Sequence, residues 1–172
     1  MSHSVKSHIT REVITNGVTN SFFNGVIAWM LLKEIETITL WQEHSIAIDM
    51  AATAAILLFI LTVIIIPLNR SKLRKGKIIA AEWNPASRLH RILMRFPQKL
   101  WQQGLMFALC GIVLVAPISV LPFMLTGITE MTGSQYAIVK GVWAGLMAAI
   151  MVIPMIILAL APADNKPTLA SA

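Results

Sequence analysis

The chain has 172 residues, the length of one domain, and 56% of them are hydrophobic while only 13% are charged. A mean hydropathy of +0.72, with the apolar residues gathered in long blocks, excludes an ordinary soluble globular protein and predicts a polytopic membrane protein. The net charge of +6 lies beside these blocks, which favours anionic lipid headgroups over nucleic acid as its partner. A single cysteine excludes enzymes that need cysteine pairs.

Residues 1–12 are polar and predict a loosely ordered cytoplasmic tail. Residues 13–32 are the first and least apolar of four predicted transmembrane helices. The apolar core of this segment, residues 22–32, is too short to cross a bilayer by itself. The first span must therefore include the polar turn that precedes this core.

Carboxamide side chains recur every four residues along one face of the first span, at Asn16, Asn20 and Asn24. Lipid cannot satisfy carboxamides, so this face must turn toward protein or water. Two interpretations remain open, because the asparagines can hydrogen-bond to a neighbouring helix or line a polar cavity or ligand site. An adjoining row of small residues, Gly17, Ser21 and Gly25, predicts that another backbone approaches this helix closely.

The second predicted span covers residues 45–68 and carries one charge, Asp49, near its outer end. Ser45 is a suitable helix cap, and an acid in the first turn complements the helix dipole. Asp49 also shares a face with Thr53, so a buried ion or proton site is the alternative interpretation. The acidic connector before this span, residues 33–44, suits the outer side of the membrane.

The loop 69–100 is strongly basic and predicts the cytoplasmic side, because positive charge is retained there. We expect its basic side chains to contact anionic lipid headgroups. They are Arg70, Lys72, Arg74, Lys75, Lys77, Arg88, Arg91, Arg95 and Lys99.

Within this loop, Asn84 and Pro85 are typical of a helix start, and a short amphipathic helix is predicted near 85–96. Its apolar residues recur at helical spacing, at Leu89, Ile92, Leu93 and Phe96. The pattern predicts an interfacial helix with its apolar face in the headgroup region and its arginines on the phosphates.

The third and fourth predicted spans cover residues 101–125 and 136–161, followed by a polar cytoplasmic tail at 162–172. Asp49 and Lys140 each enter their span by four residues, which places both about 6 Å below the outer boundary at 1.5 Å per residue. An isolated charge at this depth is costly, so we predict that the two side chains pair.

The resulting fold is an all-α membrane protein in which residues 13–161 form one four-helix transmembrane domain of two hairpins, with both termini in the cytoplasm. Three stretches carry a resemblance: ITNG at 14–17 running into NGVIAW at 24–29, SIAID at 45–49, and KGVWAGL at 140–146. They resemble a loose group of small, uncharacterised bacterial inner-membrane proteins with four predicted spans. The resemblance implies the bacterial inner membrane and brings no catalytic or binding residues with it.

Several functions are disfavoured by residues that the spans lack. Haem-binding bundles need histidines inside the spans, intramembrane proteases need catalytic side chains there, and small multidrug exporters carry a glutamate in the first helix. We therefore predict no catalytic residues, cofactor or metal. The first hypothesis is a non-catalytic accessory or scaffold component, with a homodimer or another membrane protein as partner. The alternative is a small homo-oligomeric transporter or channel lined by the three asparagines, Asp49 and Lys140.

Overall fold

The computed structural model describes residues 3–42, 44–80 and 86–161, and this part of the chain is mostly helical. A π-helical segment, Gly111–Val115, joins the helical stretches before and after it, so that Leu100–Thr126 is one continuous helix. The elements in chain order are α1 (His3–Leu32), β1 (Ile38–Thr39), α2 (Ile46–Arg74), α3 (Arg88–Met94), α4 (Leu100–Cys110), α5 (Ala116–Thr126), β2 (Glu130–Met131) and α6 (Gly133–Ala159).

Three of the described helices are long and apolar enough to cross a bilayer: Ile46–Arg74, Leu100–Thr126 and Gly133–Ala159. This finding indicates a membrane-embedded protein and agrees with the second, third and fourth predicted spans. Helix α1 is longer than any of them at 30 residues, yet its composition does not reach the same hydropathy. Its asparagines and its polar first turns lower the average.

Helix α1 begins at His3, about ten residues before the predicted start of the first span. The prediction of a loosely ordered tail is wrong for this part of the chain, because His8 and Glu12 are buried against α2. Tertiary contacts of this kind stabilise helical turns that would be marginal in isolation.

Helix α1 packs antiparallel along α6, and α2 packs against both α6 and the continuous helix α4–α5. These packing partners differ from the two hairpins predicted from sequence. The predicted close approach is confirmed, since a Cβ added to Gly141 would lie 2.9 Å from the Cα of Gly25. A Cβ on Gly145 would lie 2.7 Å from the carbonyl oxygen of Gly17. Only glycine permits this separation between the two backbones.

The contact between α2 and the continuous helix α4–α5 also depends on a glycine. A Cβ on Gly111 would lie 3.0 Å from the backbone of Ala54, at the start of the π-helical segment. Pro117 follows this segment and cannot donate to the carbonyl four residues earlier, which explains why regular α-helical bonding is lost there. Pro67, in contrast, lies inside α2, which continues to Arg74 instead of ending near residue 68.

At the end of the molecule where α1 begins, α3 is a seven-residue helix capped by Ser87. Leu93 and Phe96 are buried in the hydrophobic core, and the Phe96 ring lies 5.0 Å from that of Phe107. Part of the predicted headgroup-facing stripe therefore packs into the protein, while Ile92 is exposed. The predicted start at Asn84 and Pro85, and the side chain of Leu89, lie outside the described residues.

Candidate intramembrane polar sites

An outer polar cluster forms where the first turn of α2 meets the first two turns of α6. The Tyr136 hydroxyl donates to Oδ2 of Asp49 at 2.5 Å, and Nζ of Lys140 donates to Oδ1 at 2.8 Å. The same Nζ lies 2.7 Å from Oδ2, so the lysine contacts both carboxylate oxygens. The predicted pairing of Asp49 with Lys140 is confirmed.

The local sequence explains why these three side chains meet. Ser45 caps α2 by accepting from the Ile48 amide at 3.3 Å, which places Asp49 in the first turn. Helix α6 begins with a capping box of Thr132 and Gln135, and its residues 136 and 140 follow on one face four residues apart. Sequence analysis missed Tyr136, because its spacing from Lys140 becomes informative only once Asp49 is known to be their common partner.

The members of this cluster differ in exposure. Tyr136 is 1% exposed and the Lys140 side chain 13%, whereas the Asp49 side chain is 39% exposed. Asp49 also borders an outer cavity of about 430 Å³, together with Gln42 and His44. The carboxylate is therefore paired on one side and open on the other. Among the described residues, no hydrogen bond joins Thr53 to Asp49.

The three asparagines of α1 bond within their own helix. Each Nδ2 donates to the carbonyl oxygen four residues earlier, at 2.8 Å for Asn16 and Asn20 and 3.0 Å for Asn24. All three side chains are half-buried. These bonds reduce the cost of holding a carboxamide in an apolar environment, because the amide donor is satisfied without a second helix.

An inner polar cluster, which sequence analysis did not predict, joins the start of α1 to the end of α2. Nε2 of His8 lies 2.7 Å from Oδ1 of Asn69, and Nζ of Lys72 donates to Oε1 of Glu12 at 2.7 Å. Because the Asn69 Nδ2 donates to the Ile65 carbonyl, its Oδ1 is the acceptor and His8 is the donor. His8, Glu12 and Asn69 are all buried.

The spacing of His8, Glu12 and Asn16 at four residues would have indicated this cluster, had the first twelve residues been read as helix. The same contact changes the role expected of Lys72, which pairs with Glu12 instead of extending toward lipid. Arg70 also turns inward and donates to Oε1 of the Gln103 side chain at 3.4 Å. The other predicted headgroup-binding residues are exposed: Arg74, Lys75, Lys77, Arg88, Arg91, Arg95 and Lys99.

No comparison with a known protein assigns a function to these clusters. The chain matches no protein-family model, no curated protein and no solved structure. The resemblance to small bacterial inner-membrane proteins stays a prediction. Within residues 3–42, 44–80 and 86–161, no three histidine, cysteine or acidic side chains are grouped so that they could hold a metal ion.

Proposed function

We propose that α1 is a fourth membrane crossing, and that the chain is a multi-pass protein of the bacterial inner membrane. The support is tertiary: α1 lies against α6 over its middle turns, at Gly25 with Gly141 and at Gly17 with Gly145. A helix in such contact with a spanning helix shares its depth in the bilayer. The outward face of α1 is also apolar, with Val18, Phe22 and Leu31 more than 60% exposed.

The orientation follows from charge. Seven exposed basic residues between Arg74 and Lys99 lie at the end of the molecule where α1 begins, and positive charge is retained in the cytoplasm. Both termini are therefore cytoplasmic. A Cys110→Ser background carrying Lys6→Cys or Gln42→Cys tests the topology. In intact cells an impermeant maleimide should label the Gln42→Cys variant alone, and labelling of both would exclude the crossing by α1.

We propose further that the protein is a non-catalytic accessory or scaffold component of a membrane assembly. The observation that carries this proposal is internal pairing. Asp49 binds Lys140, Glu12 binds Lys72, and the three asparagines of α1 donate to their own helix. The two ion pairs hold different helices together, the asparagines are satisfied within α1, and an apolar surface is left for lipid and neighbouring helices.

The test is affinity purification from native membranes into lipid nanodiscs, followed by native mass spectrometry. A stoichiometric complex with another membrane protein is the expected result. A homo-oligomer that carries a bound small molecule would instead contradict the accessory function and favour transport. The variant Asp49→Asn sharpens the distinction, because it retains the shape of the side chain while removing its charge. In a scaffold this variant should change abundance and assembly together or leave both unchanged.

A small homo-oligomeric transporter is the second candidate, and one observation favours it. The Asp49 side chain is open to the outer cavity while it contacts Lys140, as expected of a group that exchanges an ion or proton with the outside. Reconstituted vesicles provide the measurement. Transport that Asp49→Asn abolishes at unchanged protein abundance would establish this candidate, and equal flux in both proteins would exclude a role for the carboxylate.

A further inference from the structure

An apolar groove follows one side of the seam between α1 and α6 through the middle of the molecule. Its walls are exposed side chains, Ile14, Val18 and Phe22 from α1 and Val142 and Leu146 from α6. Gly17 and Gly145 of the seam form its floor. No asparagine of α1 lines this groove, and Ser21 is the one polar side chain in its lining, so its surface is mostly apolar and differs from the polar face of the same helix.

The groove continues at its inner end into a polar mouth on α1. The mouth is lined by Lys6, Ser7, Thr10, Arg11 and Thr15, and it shares Ile14 with the groove. Residues 7, 11, 14, 18 and 22 follow at helical spacing, so mouth and groove occupy one face of α1. Lys6 and Arg11 are both exposed, and neither forms an ion pair within the described part of the chain.

The dimensions of this face match one leaflet of a bilayer. From Val13 to Phe22 the helix rises nine residues, about 14 Å at 1.5 Å per residue. The hydrocarbon core is about 30 Å thick, so one leaflet contributes about 15 Å. The apolar groove is therefore about as long as the acyl region of one leaflet, and Lys6 and Arg11 lie beyond its Val13 end.

We infer that this face binds one anionic phospholipid of the cytoplasmic leaflet, an inference that rests on the proposed crossing by α1. The phosphodiester accepts hydrogen bonds from the ammonium of Lys6 and the guanidinium of Arg11, with the hydroxyl of Ser7 beside them. An acyl chain lies between Val18 and Val142. Thr10 stabilises the mouth from within, since its hydroxyl donates to the Lys6 carbonyl oxygen at 3.0 Å.

The test uses purified, delipidated full-length protein in detergent and native mass spectrometry with added lipid. Phosphatidylglycerol should bind at one copy per chain and at least about tenfold more tightly than phosphatidylcholine with the same acyl chains, since each basic residue contributes about a factor of five. Removing the two charges of the mouth with Lys6→Gln and Arg11→Gln should abolish this preference. The control Lys33→Gln removes an exposed charge just past the opposite end of α1 and should retain it.

A second pair of variants tests the groove. Val142→Trp fills it and should weaken the binding of both lipids at least fivefold, whereas Ile150→Trp, an exposed position on α6 outside the groove, should not. Equal binding of the two lipids by the wild type, or equal losses in the two charge variants, would overturn the inference. Competition by soluble glycerol phosphate would identify a free-phosphate site instead, and a dimer that Val142→Trp dissociates would identify a second copy as the occupant.

Failure of the lipid site can be distinguished from failure of the proposed crossing by α1. Maleimide labelling of the Lys6→Cys and Gln42→Cys variants reports this crossing without reference to any bound lipid. If the Gln42→Cys variant alone is labelled and the wild type shows no lipid preference, only the lipid site is wrong. If both variants are labelled, the crossing by α1 and the lipid site both fail.

Discussion

The outer and inner polar clusters contain the same ion pair in opposite surroundings. Nζ of Lys140 lies 2.8 Å from Oδ1 of Asp49, and Nζ of Lys72 lies 2.7 Å from Oε1 of Glu12. At the outer cluster the carboxylate is the open partner, with side-chain exposures of 39% for Asp49 and 13% for Lys140. At the inner cluster the order is reversed, with 11% for Glu12 and 24% for Lys72.

This difference shows that the free-energy cost of breaking an ion pair depends on which of its two partners remains in the protein. A stranded charge that water can reach recovers much of its hydration, whereas a buried one does not. At the outer cluster the costly change is therefore loss of the acid, and at the inner cluster it is loss of the lysine.

The largest effect is expected for Asp49→Ala, which strands the buried ammonium of Lys140 and the hydroxyl of Tyr136. We expect the free energy of unfolding to fall by about 3 kcal/mol. Denaturation of the purified protein in mixed micelles measures this quantity. Lys140→Ala should cost only about half as much, because Asp49 remains open to water. A larger loss for Lys140→Ala than for Asp49→Ala would contradict the role assigned to exposure.

At the inner cluster Lys72→Ala should lower the free energy of unfolding by about 2 kcal/mol, since the buried carboxylate of Glu12 then keeps only the Asn16 amide at 3.4 Å and His8 at 4.0 Å. Glu12→Ala should cost about 1 kcal/mol, because the long Lys72 side chain can extend to water. The same micelle titration serves for both variants. If Glu12→Ala proves the more damaging change, the reversal between the two clusters does not exist.

Tyr136→Phe removes the hydroxyl that donates to Asp49 and retains the ring. We expect a loss of about 1.5 kcal/mol, typical of a hydrogen bond to a charged group, with Lys140 still bound. The decisive comparison is with the double variant Tyr136→Phe and Asp49→Ala. If the hydroxyl acts through the carboxylate, the double variant should be little worse than Asp49→Ala alone, and full additivity would reject that contact.

The smallest effect is expected for Asn20→Ala, below about 0.5 kcal/mol, because its amide bonds only to its own helix. Asn69→Ala is the matched control, since Asn69 makes the same kind of bond to Ile65 and in addition accepts from His8. It should cost about 1.5 kcal/mol. Equal losses at the two positions would show that the contact with His8 contributes nothing to stability.

Much of the candidate site could be predicted from local patterns. The depths of Asp49 and Lys140 follow from counting residues into two apolar segments, and this count was sufficient to pair them. Tyr136 was not predicted, because a tyrosine at the edge of a span shows no distinctive pattern until its hydrogen-bond partner, Asp49, is known. His8 and Glu12 were not predicted for a different reason. Their polar segment is stabilised as helix by Asn69 and Lys72, some sixty residues away, and a local pattern does not reveal these partners.

The sequence by itself determined the three strongly apolar helices, the cap at Ser45, the close-packing row of Gly17 and the outer ion pair. These features depend on composition, helical spacing and depth, which are local quantities. Only the tertiary structure decided that α1 pairs with α6, that α1 begins at His3, and that α3 buries Leu93 in the core. Those outcomes depend on which distant surfaces complement each other, and neither hydropathy nor periodicity contains that information.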